Sequence, residues 1–211
     1  MIVPAFYPIL DADLLAGRGL GVIPAAEALL EAGVGVLQFR YKGFITRGVF
    51  EQAECVAAFC RSAKVQFVMN DRADLAMLLG SALHLGQHDL APADARRIMP
   101  RESLIGFSTH NARQLREGDL EPVDYLAVGP VFSTGSKKNP DPVVGLDQLR
   151  ALRTITKKPL VAIGGITRET ARLVLETGAD SVAVIGDVYP QALDKLTLRE
   201  RAEEWMTVTS G

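Results

Sequence analysis

Short apolar runs recur along this chain of 211 residues and alternate with helical patterns. Runs of this length between turn residues are typical of buried parallel strands. The predicted strands are 2–10, 34–39, 65–69, 82–85, 104–107, 125–128, 160–163 and 181–185. Because the alternation continues without a break in composition, it predicts a (β/α)8 barrel, formed by residues 1–211 as a single domain. An open doubly wound sheet is the alternative, but it usually requires a glycine-rich first turn, which Asp11-Ala12-Asp13 is not.

Apolar stripes with helical spacing fill most of the gaps between these strands, and the last predicted helix covers 191–205. Gly33, Gly80 and Gly178 stand where three helices are expected to end. The longest irregular stretch, residues 129–144, contains three prolines and predicts a lid over one end of the barrel.

Composition limits the possible functions. The net charge of −2, without a block of Lys and Arg, argues against a nucleic-acid surface. No apolar run reaches the roughly 18 residues of a membrane span, and Met1–Leu10 lacks the basic start of a signal peptide. Cys55 and Cys60 are predicted on different faces of one helix, unpaired. We therefore expect a cytoplasmic protein that acts on small molecules, and the sequence leaves its oligomeric state open.

Polar side chains follow the predicted strands. Alternation along the second strand places Gln38, Arg40 and Lys42 on one face, at the carboxyl end where barrel enzymes bind their substrates. The alternative is that Arg40 and Lys42 simply extend to solvent. Gln38 lies too deep for that interpretation.

Two carboxylates follow the third and fourth strands, Asp71 beside Asn70 and then Asp89. Neighbouring parallel strands are about 4.8 Å apart, so the two groups could share one hard cation such as Mg²⁺. Alternatively each could cap a helix, although Asp74 is the better candidate for capping the helix that follows the third strand.

Glycines follow the last two strands, in Gly164-Gly165 and Ile185-Gly186. Barrels commonly bind phosphate there, on backbone amides. Thr134, Ser136 and Lys137, after the sixth strand, would add hydroxyl donors and a cation.

Three histidines raise separate questions. His84 and His88 are four residues apart, but a strand entering a loop would make them diverge, so we do not expect a zinc site. His110 follows the fifth strand and is either an acid–base residue or a hydrogen-bonded loop histidine.

Taken together, these residues resemble the thiamine-phosphate synthase family over nearly the whole chain. The family's motifs are matched in order by Gln38-x-Arg40-x-Lys42, Asn70-Asp71, His84 through Asp89, Gly106-x-Ser108, Gly129 through Lys137, and Ile163 through Ile166. The resemblance implies that hydroxymethylpyrimidine diphosphate is joined to hydroxyethylthiazole phosphate, giving thiamine phosphate and pyrophosphate. It also implies departure of pyrophosphate assisted by Mg²⁺, before the thiazole nitrogen attacks.

The resemblance further implies a role for each matched position. Mg²⁺ would be held by Asp71 and Asp89, and the diphosphate would be bound by Arg40, Lys42, Asn70 and Lys137. Gln38 and Ser108 would bind the pyrimidine, while Thr134, Ser136, Gly165, Ile185 and Gly186 would hold the thiazole phosphate. The residues expected to act in catalysis are Arg40, Lys42, Ser108 and Lys137.

Two positions depart from the family pattern, because Gly43 follows Lys42 where a polar residue is expected and Gly186 stands where a serine is usual. Two alternatives remain at this point. A thiazole tautomerase on the same barrel would depend on His110 and need no metal, and a non-catalytic barrel would bind phosphate alone.

Overall fold

The computed structural model describes residues 3–135 and 141–210. Eight parallel strands pair in chain order, and the last strand pairs with the first, so the sheet closes into a barrel. This confirms the predicted (β/α)8 fold. The strands are β1 (Phe6–Asp11), β2 (Val36–Arg40), β3 (Gln66–Asn70), β4 (Ala82–Leu85), β5 (Ile105–Thr109), β6 (Tyr125–Val128), β7 (Leu160–Ile163) and β8 (Ser181–Val184).

Helices surround the barrel. They are α1 (Ala12–Arg18), α2 (Val22–Glu31), α3 (Arg47–Ala63), α4 (Ala73–Leu79), α5 (Pro92–Ile98), α6 (Ala112–Leu120), α7 (Gly145–Arg153), α8 (Arg168–Leu175) and α9 (Lys195–Thr209), with a 3-10 turn at Gly186–Val188. Within residues 3–135 and 141–210, no helix has both the length and the apolar character needed to cross a membrane.

The first and the last helix differ from the prediction. Helix α1 was not predicted; it begins directly after β1, where the Asp11 carboxylate accepts the Leu14 N–H at 2.9 Å and caps its first turn. Helix α9 begins at Lys195 rather than at residue 191, because Asp194 and Thr197 form a reciprocal capping box there.

Several strands extend further than their apolar runs. Strands β1, β2 and β3 end at Asp11, Arg40 and Asn70, one residue beyond the predicted ends. A polar residue can continue the backbone pairing of a strand, although a prediction from apolar runs ends the strand before it. Strand β5 continues to Thr109, so Ser108 lies inside it. Strand β1 begins only at Phe6, and residue 2, the first of its predicted range, lies outside the described residues.

The core has two layers. One lies between the strands and the helices, where the rings of Phe6 and Trp205 stack with centroids 5.2 Å apart and fix α9 against β1. The other fills the barrel itself and includes Tyr7, Val68 and Tyr125. Polar side chains continue this inner layer toward the carboxyl ends of the strands, so the fold places the candidate site directly above a packed interior.

Smaller expectations are also settled. Gly80 ends α4 with a φ of 60°, as its position predicted. Cys55 and Cys60 are both free thiols, the first half-buried and the second buried, which confirms that they do not pair. Burial raises the pKa of the Cys60 thiol to about 12.

Candidate active site

An ion pair joins the carboxyl ends of β1 and β2. The Arg40 guanidinium donates to the carboxylate of Asp11, which is only 4% exposed. Because the same carboxylate caps α1, Arg40 is held by a group that is itself fixed in place. Asp11 was not among the predicted site residues. The available signal was that Asp11, like Asn70, directly follows an apolar run.

A second pair lies above the next two strands. The ammonium of Lys42 is 2.5 Å from Asp71 Oδ2, and the Lys42 backbone N–H donates to Asp13 Oδ2 at 3.0 Å. The Lys42 side chain is half exposed, whereas that of Asp71 is mostly covered. The loop after β2 is therefore tied both to α1 and to the loop after β3.

Asp71 and Asp89 lie in contact, as their positions after neighbouring strands predicted. Burial raises the pKa of Asp89, and the hydrogen bond and negative charge of Asp71 raise it further. The Gly86 N–H, which donates to Asp89 Oδ2 at 2.6 Å, and the charge of Lys42 act in the opposite direction. Two carboxylates placed together in this way favour a cation between them.

The capping alternatives for these carboxylates are wrong. Helix α4 has Arg72 at its N-cap position and α5 has Ala91, and neither helix has a side-chain cap. The preference for Asp74 as a cap is also wrong, because Asp74 lies in the first turn of α4 and pairs with Arg72 at 2.5 Å. Helix geometry thus does not explain Asp71 or Asp89.

Asn70 adds a polar group that is ready for a ligand. Its side chain is 7% exposed, and its Nδ2 has no hydrogen-bond partner among the described residues. A buried donor without an acceptor is costly, so a ligand oxygen at this point would stabilise the site.

The donor set fits a divalent cation. No cluster of three or more His, Cys, Asp and Glu that could hold a metal occurs within the described ranges. Two carboxylates alone still suit Mg²⁺, which is commonly bound by one or two carboxylates and by substrate phosphates.

A chain of buried hydrogen bonds lies below these charges, inside the barrel. Gln38 Nε2 donates to Tyr7 Oη at 3.0 Å, and Tyr7 Oη is 2.9 Å from Tyr125 Oη. Tyr125 Oη is 3.0 Å from His84 Nδ1, and His84 Nε2 is 2.9 Å from Ser108 Oγ. Burial raises the pKa of Tyr7 to about 12 and that of Tyr125 well above its usual value, so both phenols are neutral.

The ends of β6, β7 and β8 differ in character. Gly164 and Gly165 have φ of 100° and 63°. A Cβ on Gly165 would lie 2.4 Å from the Ser133 carbonyl oxygen, so this turn packs tightly against the segment after β6. Gly186, in contrast, has open space around its Cα. We call this region the glycine side, and we call the region of Asp11, Arg40, Lys42, Asp71 and Asp89 the charged side.

The remaining predicted residues of the glycine side are partly described. Thr134 and Ile185 are half-buried, and Gly186 begins the 3-10 turn after β8. The expected positions Ser136 and Lys137 lie outside the described residues, as does the middle of the predicted lid. Their roles therefore stay predictions.

His110 binds the two ends of that lid. Its Nδ1 donates to the Gly129 carbonyl at 2.6 Å, and its Nε2 is 3.5 Å from Asp141 Oδ2. The backbone N–H of His110 donates to Gln114 Oε1 at 2.8 Å. His110 thus holds loop segments together through hydrogen bonds, in agreement with its interpretation as a hydrogen-bonded loop histidine.

A cavity of about 320 Å³ opens at the opposite, amino-terminal end of the barrel. Apolar residues such as Val3, Val36 and Leu104 dominate its lining. Barrel enzymes place their chemistry at the carboxyl end, and the charges described above lie there. The charged side and the glycine side are therefore the candidate site.

Comparison with known proteins gives consistent matches over most of the chain. The profile of the family described as thiamine monophosphate synthase matches residues 6–188. The thiamine-phosphate synthase of Koribacter versatilis (strain Ellin345) is 46% identical over 209 residues, which cover 98% of this chain and 96% of that protein. That of Syntrophomonas wolfei subsp. wolfei is 40% identical over 182 residues, with 86% of each chain covered.

A solved structure supports the same assignment. The thiamine phosphate pyrophosphorylase from Pyrococcus furiosus superimposes with a TM-score of 0.84 at 29% identity and covers 99% of this chain and 96% of that one. The extent of these matches exceeds what a shared barrel fold alone produces. The chain is thus an enzyme of the thiamine monophosphate synthase family.

Proposed function

We propose that this enzyme joins hydroxymethylpyrimidine diphosphate to hydroxyethylthiazole phosphate and releases pyrophosphate. The contact between Asp71 and Asp89, with the ammonium of Lys42 at 2.5 Å from Asp71, carries this proposal. Such a cluster suits a diphosphate held together with a cation, whereas a single phosphate would need only the glycine side.

Asp71 and Asp89 are the residues that would hold Mg²⁺. When bound, the ion supplies positive charge that stabilises a departing diphosphate. Its charge would also offset burial and the repulsion by Asp71, which together raise the pKa of Asp89.

The chain's own cations act on the same leaving group. Arg40 and Lys42 bind diphosphate oxygens, and the Asn70 amide, which is buried without a partner, donates to another oxygen. Lys137 is proposed to join them from the lid. Because negative charge grows on the diphosphate as its bond to carbon breaks, these donors stabilise the transition state more than the bound substrate.

The reaction needs no nucleophile from the protein. The bond between the pyrimidine methylene carbon and the diphosphate oxygen breaks, and pyrophosphate leaves with the electron pair. The thiazole nitrogen then supplies its lone pair to the same carbon. We assign Gln38 and Ser108 to the pyrimidine ring, and the thiazole phosphate to Thr134, Ser136, Gly165 and the turn at Ile185-Gly186.

The direct test is incubation with both substrates and Mg²⁺. We expect equal amounts of thiamine phosphate and pyrophosphate, and loss of both when a chelator removes the metal. Product formation at the full rate in excess chelator would contradict the two-carboxylate metal site. Absence of pyrophosphate in the presence of Mg²⁺ would contradict the proposed reaction.

The tautomerase alternative predicts a different dependence on His110. A tautomerase that used this histidine for proton transfer would lose about 10²–10⁴ in rate in His110→Ala. The contacts of His110 with Gly129 and Asp141 instead predict a modest loss of coupled product, through a less ordered lid. The rate of coupled product by His110→Ala, measured beside Asp71→Asn, separates the two functions.

A further inference from the structure

The buried chain from Gln38 to Ser108 joins two ends of the proposed pyrimidine subsite through three side chains with no assigned role. Tyr7 and Tyr125 are 118 residues apart in sequence, yet their hydroxyls lie 2.9 Å apart. His84 continues the chain to Ser108. Both phenols and His84 are buried, and the two phenols also line the cavity at the amino-terminal end of the barrel.

The donor–acceptor order of this chain follows from its first bond. Gln38 Nε2 can only donate, so Tyr7 Oη accepts from it and has one proton left to give. Within the described residues, Tyr125 Oη is the other polar atom bonded to that hydroxyl. Tyr7 therefore donates to Tyr125, because the opposite order would leave a buried proton without an acceptor.

The same donor–acceptor order extends through His84 to Ser108. Tyr125 donates to His84 Nδ1, so the neutral imidazole carries its proton on Nε2 and donates to Ser108 Oγ. Ser108 accepts that bond and keeps its own proton for another acceptor. At the other end, one N–H of Gln38 Nε2 is donated to Tyr7, and Oε1 is the acceptor that Gln38 offers to a ligand.

The backbone leaves space for this chain of hydrogen bonds. A Cβ on Gly106 would lie 2.0 Å from Tyr125 Cζ and 2.4 Å from Tyr125 Oη. Glycine at this strand position therefore makes room for the phenol inside the barrel. Any larger residue would displace Tyr125 from His84.

We propose that Tyr7, Tyr125 and His84 are positioning residues that set the hydrogen-bond polarity of Gln38 and Ser108 as a matched pair, an acceptor at Gln38 and a donor at Ser108. This inference rests on the proposed function. The pair complements the amino group and adjacent ring nitrogen of an aminopyrimidine, which present a donor beside an acceptor. An oxopyrimidine presents the reverse pattern, an acceptor beside a ring N–H, which does not match the Gln38 Oε1 acceptor and the Ser108 proton.

Isosteric variants test the inference. Tyr7→Phe and Tyr125→Phe each interrupt the chain, and Tyr189→Phe is the control, because the Tyr189 hydroxyl is equally buried but bonds to Ile9 and Asp11 instead. The measured quantity is kcat/KM for the aminopyrimidine diphosphate divided by kcat/KM for its 4-oxo analogue. We expect this ratio to fall about tenfold in each chain variant, the size of one typical hydrogen bond, and to stay at the wild-type value in Tyr189→Phe. An equal loss for both substrates in the chain variants would overturn the inference.

A measurement on the wild-type protein is independent of turnover and of variant folding. The ¹⁵N chemical shifts of His84 should show the proton on Nε2 and a bare Nδ1, and Tyr125→Phe should shift this equilibrium toward the other tautomer. A wild-type His84 protonated on Nδ1 would overturn the inference. If the wild-type enzyme formed no coupled product, the proposed function would fail, while the His84 tautomer would still decide the polarity of the chain.

Discussion

The charged side and the glycine side of the barrel solve the same problem, that of holding a phosphate group, by different means. On the charged side four of the five groups form ion pairs within the protein: Arg40 pairs with Asp11, and Lys42 pairs with Asp71. The fifth, Asp89, lies against Asp71 and accepts the Gly86 N–H. On the glycine side the protein offers backbone at positive φ and open space beside Gly186.

The two sides therefore depend on different physical terms, desolvation of ionised groups on the charged side and backbone shape on the glycine side. Ionised groups that are already paired lose less on desolvation, and a ligand can then exchange with those partners. A turn built from glycines depends instead on backbone shape, since a Cβ at Gly165 would clash with the Ser133 carbonyl. The charged side should therefore respond to changes of charge at constant shape, and the glycine side to changes of shape at constant charge.

The largest expected effect is loss of a metal-binding carboxylate. Asp71→Asn and Asp89→Asn keep the size of each side chain, and each should lower kcat by about 10²–10³, the usual cost of a lost electrostatic stabiliser. The Mg²⁺ concentration required for half-maximal rate should rise as well. Steady-state assays over a series of Mg²⁺ concentrations measure both effects.

Asp74→Asn is the matched control for these variants. Asp74 lies three residues beyond Asp71, exposed and paired with Arg72, so its loss should leave the rate and the Mg²⁺ dependence unchanged. Equal behaviour of the three variants would remove the distinction between the charged side and its surroundings.

A smaller effect is expected at Asp11. Asparagine can still cap α1 by accepting the Leu14 N–H, but it no longer carries the charge that holds Arg40. We expect Asp11→Asn to lower kcat/KM for the pyrimidine diphosphate about tenfold, in line with the loss of one charge-assisted hydrogen bond. The change in melting temperature should be small.

Asp194→Asn gives the comparison for this variant, because Asp194 also caps a helix but has no arginine partner within the described residues. Its kcat/KM should equal that of the wild type. A loss in Asp194→Asn as large as that in Asp11→Asn would assign the effect to helix capping rather than to Arg40.

On the glycine side, the main expected effect of Gly165→Ala is a lower free energy of unfolding. The φ of 63° and the 2.4 Å approach to the Ser133 oxygen predict a cost of about 1–3 kcal/mol in the free energy of unfolding. Denaturant unfolding measures this cost, with Gly17→Ala as the control, since a Cβ at Gly17 has no atom within 4 Å. Equal stability of the two variants would show that the turn at Gly165 is free to relax.

The smallest expected effect is a gain. Gly186→Ser introduces the hydroxyl that the resemblance led us to expect at this position, and nothing lies within 4 Å of the new Cβ. We expect KM for the thiazole phosphate to fall two- to tenfold, the range of one ordinary hydrogen bond, with kcat unchanged. A raised KM would place the phosphate away from this turn.

The sequence predicted those features that depend on local pattern. Apolar runs with helices between them identified the barrel, and polar residues after the runs identified Arg40, Asn70 and Asp71. Helix α1 was not predicted because it starts directly after β1, with no turn residue between the strand and the helix. Asp11 escaped with it.

The polar chain inside the barrel could not be predicted from local pattern. Tyr7 and Tyr125 read as ordinary core aromatics along their own strands, and only closure of the barrel brings their hydroxyls together. His84 was considered for zinc because of its spacing from His88, while its actual partners come from β5 and β6. Contacts between distant strands depend on topology, which residue spacing does not contain.

The backbone at Asp71 has a consequence for how natural variation at this position should be interpreted. Its φ of 65° is one that most residues adopt only with strain, and glycine, asparagine and aspartate adopt it most readily. Selection for folding alone would thus keep a narrow set of residues here, even in a relative that had lost its metal. In a saturation library, survival of the fold should admit glycine and asparagine, whereas growth that depends on the enzyme should retain aspartate. Residues that allow folding but not growth would show what the Asp71 carboxylate contributes to activity, apart from its role in the backbone turn.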